Sequence, residues 1–375
     1  YSKNIKTLFS LTGETESAAD KDASTIITIE TTLARAQYSR VEMRDPYKPY
    51  NKFSVKDLSD ITPHINWATE LSDFQIKGSN SLEENNPTFF KTFDSLLTTI
   101  PLNEWKTYLR WNIIRNAAPN LSSPFVRADF EFNKAMTGQK QPTPRYERVS
   151  GLIDQLLGDL LGQIYMEKYF KPEAKIYMVN MVDNIESTFA DRINRLDWMS
   201  DETKQKALEK LKAITKKICY PDKWKDYEGV VIHKDDFVGN IRSAREWAYN
   251  YMVNHMGKPV DKTDWGMTTP TINAQYSSSN NDITFPAGIL QFPFFDFGAD
   301  DAVNYGGIAA VIGHEMTHGF DDQGRKFDAN GNLKDWWKKQ DEENFKISAD
   351  KVANQFDGKA KRIIYRTLET LNKLF

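Results

Sequence analysis

Five consecutive residues, His314-Glu315-Met316-Thr317-His318, hold the strongest chemical signal in this sequence. On a helix, positions i and i+4 share one face about one turn apart, so two imidazoles at this spacing can grip one small cation. Neutral imidazole suits zinc, which takes four-coordinate sites of N, O or S donors. Glu315 stands beside the first histidine and can reach a water on the metal without ligating the metal. The cation acidifies that water, and the carboxylate takes its proton as it attacks a carbonyl. The chain has only five histidines, His64, His233, His255, His314 and His318, so a chance pairing of this form is rare. The competing reading is a pair of hydrogen-bonded core histidines. Against it, the motif follows the apolar run Ile308 to Ile312, and a polar face on a buried helix needs partners, which a metal supplies. The other three histidines stand alone and read as surface or packing residues. Cys219, the one cysteine, reads as a buried, inert thiol at a helix end.

A helix from about Asp301 to Gly319 must carry the motif. Upstream, residues 1 to about 220 read as mostly helical. Ile26, Ile27, Ile29 and Leu33 share a face within 18–36, and 93–118 is helix-like with a break at Pro101. Leu152, Leu156, Leu157, Leu160, Leu161 and Ile164 form a stripe in which Gly158 and Gly162 permit close helix contact. Residues 174–189 and 200–217 continue the theme, with Ser200 as an N-cap and Glu202 and Lys206 as an i,i+4 pair. After Tyr220-Pro221-Asp222 the style shifts. Pro259, Pro270, Pro286 and Pro293 punctuate the chain, and Asp282 to Phe285 reads as a strand. The expectation is two lobes, 1–228 helical and 229–375 metal-binding.

The bulk numbers agree with a folded protein of two lobes: 375 residues, 40% hydrophobic and 27% charged, with 13% aromatic residues that need a deep core. A net charge of -3 shows no strongly basic balance to favour nucleic acid. A lone cysteine excludes an intrachain disulfide. No stretch approaches the roughly 20 apolar residues of a membrane span, so no membrane anchor is visible. The chain begins at Tyr1 rather than Met and reads as a processed product or a fragment.

From Asn273 to Trp337 the sequence resembles the neprilysin-like family of zinc metallopeptidases, which includes the endothelin-converting enzymes and bacterial oligopeptidase O. Four ordered blocks carry the resemblance: Asn273-Ala274-Gln275-Tyr276; Phe285-Pro286-Ala287-Gly288-Ile289-Leu290-Gln291 with Pro293-Phe294-Phe295; Asn304-Tyr305-Gly306-Gly307 running into the histidine motif; and Gly319-Phe320-Asp321-Asp322-Gln323-Gly324-Arg325 with Asp335-Trp336-Trp337. Weaker similarity reaches back to about Asn4. The resemblance implies a mainly α-helical fold of two lobes, with a thermolysin-like catalytic lobe carrying a small β element, around a central cavity. It implies one zinc ion per chain, held by His314 and His318, with Glu315 as general base, and endopeptidase action on short oligopeptides on the amino side of large hydrophobic residues. Asn273 matches the side chain that holds the substrate backbone. Ala274 matches the neighbour whose main chain pairs with the peptide. Phe294, Ala310 and Val311 fall where the family lines its hydrophobic pocket, although core packing explains them as well. Asp321 and Asp322 look structural, and a bond from one of them to a ligand imidazole is the better functional reading.

The sequence departs from the family in its last part. The third zinc ligand is a glutamate about 60 residues after the second histidine in a Gly-Glu-Asn-x-x-Asp setting, and that spacing falls at or just past Phe375. Glu369 is the only carboxylate near it and lacks the context. Glu342 and Glu343 stand at a thermolysin-like spacing and read as a solvated helix face. The oxyanion-stabilising histidine and the substrate-binding arginine of the family have no match either. The chain therefore reads as part of a larger enzyme, expected to bind zinc weakly and hydrolyse peptides poorly alone. The alternative is a truncated or inactive relative that keeps a peptide-binding cavity, and its partner is then the missing C-terminal segment. Location is open, leaning to an exported or surface-associated bacterial protein.

Overall fold

The computed structural model describes the backbone of residues 1–372 and the side chains of residues 1–359. In chain order it begins with α1 (Ser2–Leu11), α2 (Glu16–Arg35), β1 (Lys52–Ser54), α3 (Val55–Ile61), α4 (Trp67–Asp73), β2 (Ser81–Glu83), α5 (Pro87–Thr99), α6 (Leu102–Ala117) and α7 (Ser123–Thr137). It continues with α8 (Arg145–Tyr169), α9 (Pro172–Asn194), α10 (Asp201–Lys212), β3 (Thr215–Cys219) and α11 (Phe237–His255). Last come β4 (Gln275–Ser277), β5 (Asp282–Pro286), α12 (Asp301–Gly306), α13 (Ile308–His318) and α14 (Lys339–Asn372). The fold is mainly helical, as expected, and carries two small sheets rather than one β element. No helix of the described residues is long and apolar enough to cross a membrane.

Two compact units emerge, one made of Tyr1–Leu161 with Trp224–Pro259, the other of Gly162–Lys223 with Val260–Phe375. One crossing lies at Lys223–Trp224. The crossings at Leu161–Gly162 and Pro259–Val260 have no counterpart in a one-boundary reading. The first unit packs Ile5, Leu8 and Phe9 of α1 against Ala19, Ala23 and Ile26 of α2 and Trp111 of α6. Those positions recur at the three- and four-residue spacing of a helix face. The antiparallel pair β1–β2 also lies in this unit.

The second unit holds the chemistry. Its sheet runs β3-β5-β4, with β3 parallel and β4 antiparallel to β5. All five residues of β5 are buried, as a central strand rich in β-branched and aromatic side chains requires. Ile283 and Phe285 meet Met178 and Val182 of α9, Leu211 of α10, Ile218 of β3, and Ile308, Ile312 and Met316 of α13 in one core. Full burial of such side chains stabilises the unit by about 1.5–3 kcal/mol each.

Three expectations are corrected. The helix expected over 200–217 ends at Lys212, and Thr215–Cys219 is a strand. Ile214, Thr215 and Ile218 are β-branched, and pairing Ile218 opposite Phe285 rewards the extended form. Cys219 therefore closes a strand, buried as expected. The helix expected over 301–319 breaks at Gly307, which separates α12 from α13. The leucine stripe of α8 is interrupted by non-helical geometry at Leu157. Past that point the face loses its phase, and Leu160 and Ile164 are exposed.

Candidate metal centre

The motif sits at the C-terminal end of α13. Ala309 and Ala310 favour the helix, and Ile308, Ala309, Ile312, Glu315 and Met316 are buried along one side of it. Gly307 is needed at the start, because a Cβ there would stand 2.4 Å from the Phe294 carbonyl oxygen. The 292–295 loop thus lies backbone to backbone against the entry of α13. One turn on, Val311 shares a face with His314, Glu315 and His318 by helical spacing.

The two imidazoles converge. Nε2 of His314 and Nε2 of His318 are 3.0 Å apart, with ring centroids 4.5 Å apart. Two nitrogens on one tetrahedral zinc stand roughly 3.3–3.4 Å apart, so the observed gap is within a few tenths of an ångström of what one ion needs. The far side of the second ring is fixed. His318 Nδ1 lies 2.8 Å from Asp321 Oδ2. Opposite a carboxylate that nitrogen must be the donor, which leaves the Nε2 lone pair free toward His314. Asp321 is itself anchored, since its Oδ1 accepts from the backbone N–H of Gln323 at 2.9 Å and of Gly324 at 2.7 Å. Of the two aspartates that follow the motif, Asp321 is the one bonded to the imidazole.

Glu315 is 7% exposed, and its carboxylate accepts no hydrogen bond from any described residue. Its oxygens are left open for a water or a cation. Two imidazole Nε2 atoms that converge on one point, with the Glu315 carboxylate next in the chain, fit a zinc ion and its water as donor chemistry. Among the described residues no third His, Cys, Asp or Glu joins the two histidines. Glu369 lies outside the described side chains. Glu342 is not merely solvated: it pairs with the guanidinium of Arg325, which also holds Asp335 at 2.8 Å. Glu343 is exposed, as expected.

The remaining expected residues surround this centre in differing degrees. Asn273 is exposed and Ala274 buried, and both lead into β4. β4 pairs on one side only, with β5, and packs against α13. An unpaired strand edge therefore runs beside the motif helix. Phe294 and Val311 are partly buried against the core, and Ala310 is exposed. His64 bonds Asp94, 2.8 Å from Nδ1 to Oδ2, in the first unit, and His233 and His255 also belong to that unit.

Lys210 and Asn281 escaped sequence reasoning. Lys210 of α10 is 1% exposed, and its Nζ donates to the carbonyls of Gly319, Gly324 and Phe327, each at 2.7 Å. The rings of Phe320, Trp336 and Tyr276 surround it at 5.7, 5.8 and 5.9 Å. Burial pushes its ammonium down to about 7, and the charges of Asp321 and Asp328 pull it back up. Three carbonyl acceptors call for three N–H donors, which only the charged form has. Asn281 ties the same region together: it donates to the Lys210 and Ala329 carbonyls and accepts from the Tyr276 hydroxyl. A signal existed for Lys210, since it lies on the apolar face with Thr203, Ala207 and Leu211.

Comparison with known proteins places the chain among relatives. Two profiles described as peptidase family M13 match, one over residues 1–221 and the other over 273–371. Human endothelin-converting enzyme 1 is 31% identical over 361 residues, covering 92% of this chain and 46% of the relative. Neprilysin-11 of Caenorhabditis elegans is 32% identical over 348 residues, covering 89% and 41%. Among solved structures, the zinc metalloprotease Zmp1 of Mycobacterium tuberculosis in complex with an inhibitor superposes with a TM-score of 0.86 at 38% identity, covering 92% of this chain and 53% of that one. PepO from Lactobacillus rhamnosis HN001 gives 0.87 at 25% identity, covering 92% and 55%. The chain spans about half the length of these relatives.

Proposed function

The chain belongs to peptidase family M13, and on that footing we propose that it is a zinc-dependent endopeptidase of short oligopeptides, with His314 and His318 as metal ligands and Glu315 as general base. The observation that carries this is the pair of Nε2 atoms 3.0 Å apart on the last turn of α13, with Glu315 directly following the first of them. A zinc ion held there supplies Lewis acidity toward a peptide carbonyl and lowers the pKa of water. Asp321 keeps His318 in the tautomer whose Nε2 is free to bind. Glu315 takes the proton from the attacking water and returns it to the leaving amine. The free edge of β4, entered by Asn273 and Ala274, receives the substrate backbone as an added strand. Phe294 and Val311 offer a half-buried apolar surface to a large hydrophobic residue on the carboxyl side of the cut.

A second reading is a relative that binds peptide without turning it over. The absence of a third donor beside the two histidines among the described residues favours it for this chain alone, since catalytic zinc sites use three protein ligands. Zinc content, chelator-sensitive cleavage of a quenched fluorescent peptide and the Glu315→Gln variant separate the two. Under the first reading Glu315→Gln keeps the metal and loses roughly 10²- to 10⁴-fold in rate. A wild-type chain whose zinc content is unaffected by His314→Ala and His318→Ala would overturn the metal site itself.

A further inference from the structure

We propose that Lys210 is a positioning residue for the second metal ligand, acting through the backbone of residues 319–327 to fix Asp321 and thereby the tautomer and aim of His318. The inference deepens the zinc reading and rests on it for its meaning, but it concerns hydrogen bonds that exist without metal.

The bonds form an unbroken chain. The Lys210 ammonium holds the carbonyl of Gly319, the residue directly after His318, and that of Gly324, both at 2.7 Å. The N–H of the same Gly324 donates to Asp321 Oδ1 at 2.7 Å. The other oxygen of that carboxylate accepts from His318 Nδ1 at 2.8 Å. Bonds at Gly319 and Gly324 thus bracket Asp321 on both sides in sequence. The third bond, to Phe327, closes the segment around the ammonium, and Trp336 Nε1 donates to the same carbonyl at 2.9 Å. Attraction between the ammonium and the Asp321 charge acts in the same direction.

Space in the turn is as constrained as its hydrogen bonding. A Cβ on Gly324 would lie 1.8 Å from the His318 carbonyl oxygen, so the turn carrying Asp321 is pressed onto the ligand's own backbone. The glycine allows the approach, and Lys210 supplies the attraction that holds it. A buried ammonium needs acceptors wherever it lies, and here they are carbonyls of the segment that carries Asp321. Lys210 is buried at a position where neighbouring face residues are Ala207 and Leu211, and an apolar side chain would avoid the desolvation cost. The charge is retained where it can organise three carbonyls at once.

The test uses the full chain with selectively ¹⁵N-labelled histidine. Lys210→Met keeps the stem and removes the charge, and Lys210→Gln keeps donors for part of the carbonyl set. Lys217→Met is the control, since Lys217 is also buried in the same unit, at 5% exposed, and bonds Asp282 and the Asp264 carbonyl instead. Imidazole ¹⁵N shifts of the metal-free protein report the His318 tautomer, and competition with a chromophoric chelator reports zinc affinity. Wild type should show His318 protonated at Nδ1 alone. Lys210→Met should show a mixed tautomer and zinc binding weakened by about tenfold or more. Lys217→Met should lower the melting temperature while leaving both readouts at wild-type values. A folded Lys210→Met or Lys210→Gln with the wild-type tautomer overturns the proposal. So does failure of both to fold, which assigns Lys210 to global stability. If wild type binds no zinc, the peptidase reading falls while the tautomer still decides this one.

Discussion

Asp321→Asn separates the geometry of the metal centre from its proton arrangement. In the wild type, Oδ1 accepts two backbone N–H groups, at 2.9 and 2.7 Å, and Oδ2 faces His318 Nδ1 at 2.8 Å. Asparagine has one oxygen and one NH₂ to set in those places. Turning the NH₂ toward the backbone would orphan the Gln323 and Gly324 N–H groups at about 1–3 kcal/mol each. Turning it toward His318 costs only a change of tautomer, so that orientation wins. Two donors cannot face each other, and the imidazole proton must move to Nε2, the nitrogen that points at His314. Zinc must then displace that proton. Affinity should fall by about 10- to 100-fold, or about 1.4–2.7 kcal/mol. The turn keeps its backbone bonds, so the melting temperature should move little. Asp321→Ala should lose both. Chelator competition gives the affinities, and calorimetry or circular dichroism gives the stabilities. If folded Asp321→Asn binds zinc as tightly as wild type, the account of how His318 is aimed is wrong.

Other consequences follow from the same packing. Gly324→Ala should destabilise by about 1–3 kcal/mol or more, because the new Cβ meets the His318 carbonyl at 1.8 Å; Gly313→Ala, with nothing within 4 Å of its Cβ, should not destabilise in thermal melts. Burial pushes the Cys219 thiol up to about 12, with Lys175 pulling the other way, so a disulfide-exchange reagent should label it only on unfolding. The unfolded thiol ionises near 9.0, so the folded chain holds the proton more tightly and stability should fall as pH rises from about 9 toward 12. Burial alone would raise Asp341, but hydrogen bonds from Thr203 and Ser200 outweigh it and hold the carboxyl below 3.8. That contribution is present above the unfolded value and should be lost as pH falls through the lower folded one. Asp341→Ala should flatten this acid limb in pH-dependent melts.

The helical character of the chain was legible because apolar residues recur at helical spacing, as in α2, and the five-residue metal motif was legible because both ligands sit on one element. What misled was local likeness without tertiary knowledge. Residues 213–217 continue the charged, helix-forming style of α10, yet Ile214 and Ile218 find more burial beside β5 than a further turn of helix offers. The glycines between α12 and α13 read as part of an apolar helix, and only the Phe294 carbonyl pressing on Gly307 explains the break. The interleaving of the units was invisible for a similar reason: a chain that leaves a unit and returns to it leaves no mark in composition.

The centre itself was half legible, and the division has a physical cause. Ligation and general base chemistry need side chains, which the sequence names outright. Orientation here is achieved through backbone groups, which every residue has and no motif records. Lys210 reaches Gly319, Gly324 and Phe327 across 109 to 117 residues, and nothing in those residue types asks for a lysine. The one trace is a positive charge on the apolar face of α10, which binary patterning treats as an error. Such an error persists only if an unsatisfied group elsewhere answers it. A buried cation on an otherwise apolar helix face is therefore a reason to look for converging carbonyls, and here they belong to the segment that aims a metal ligand.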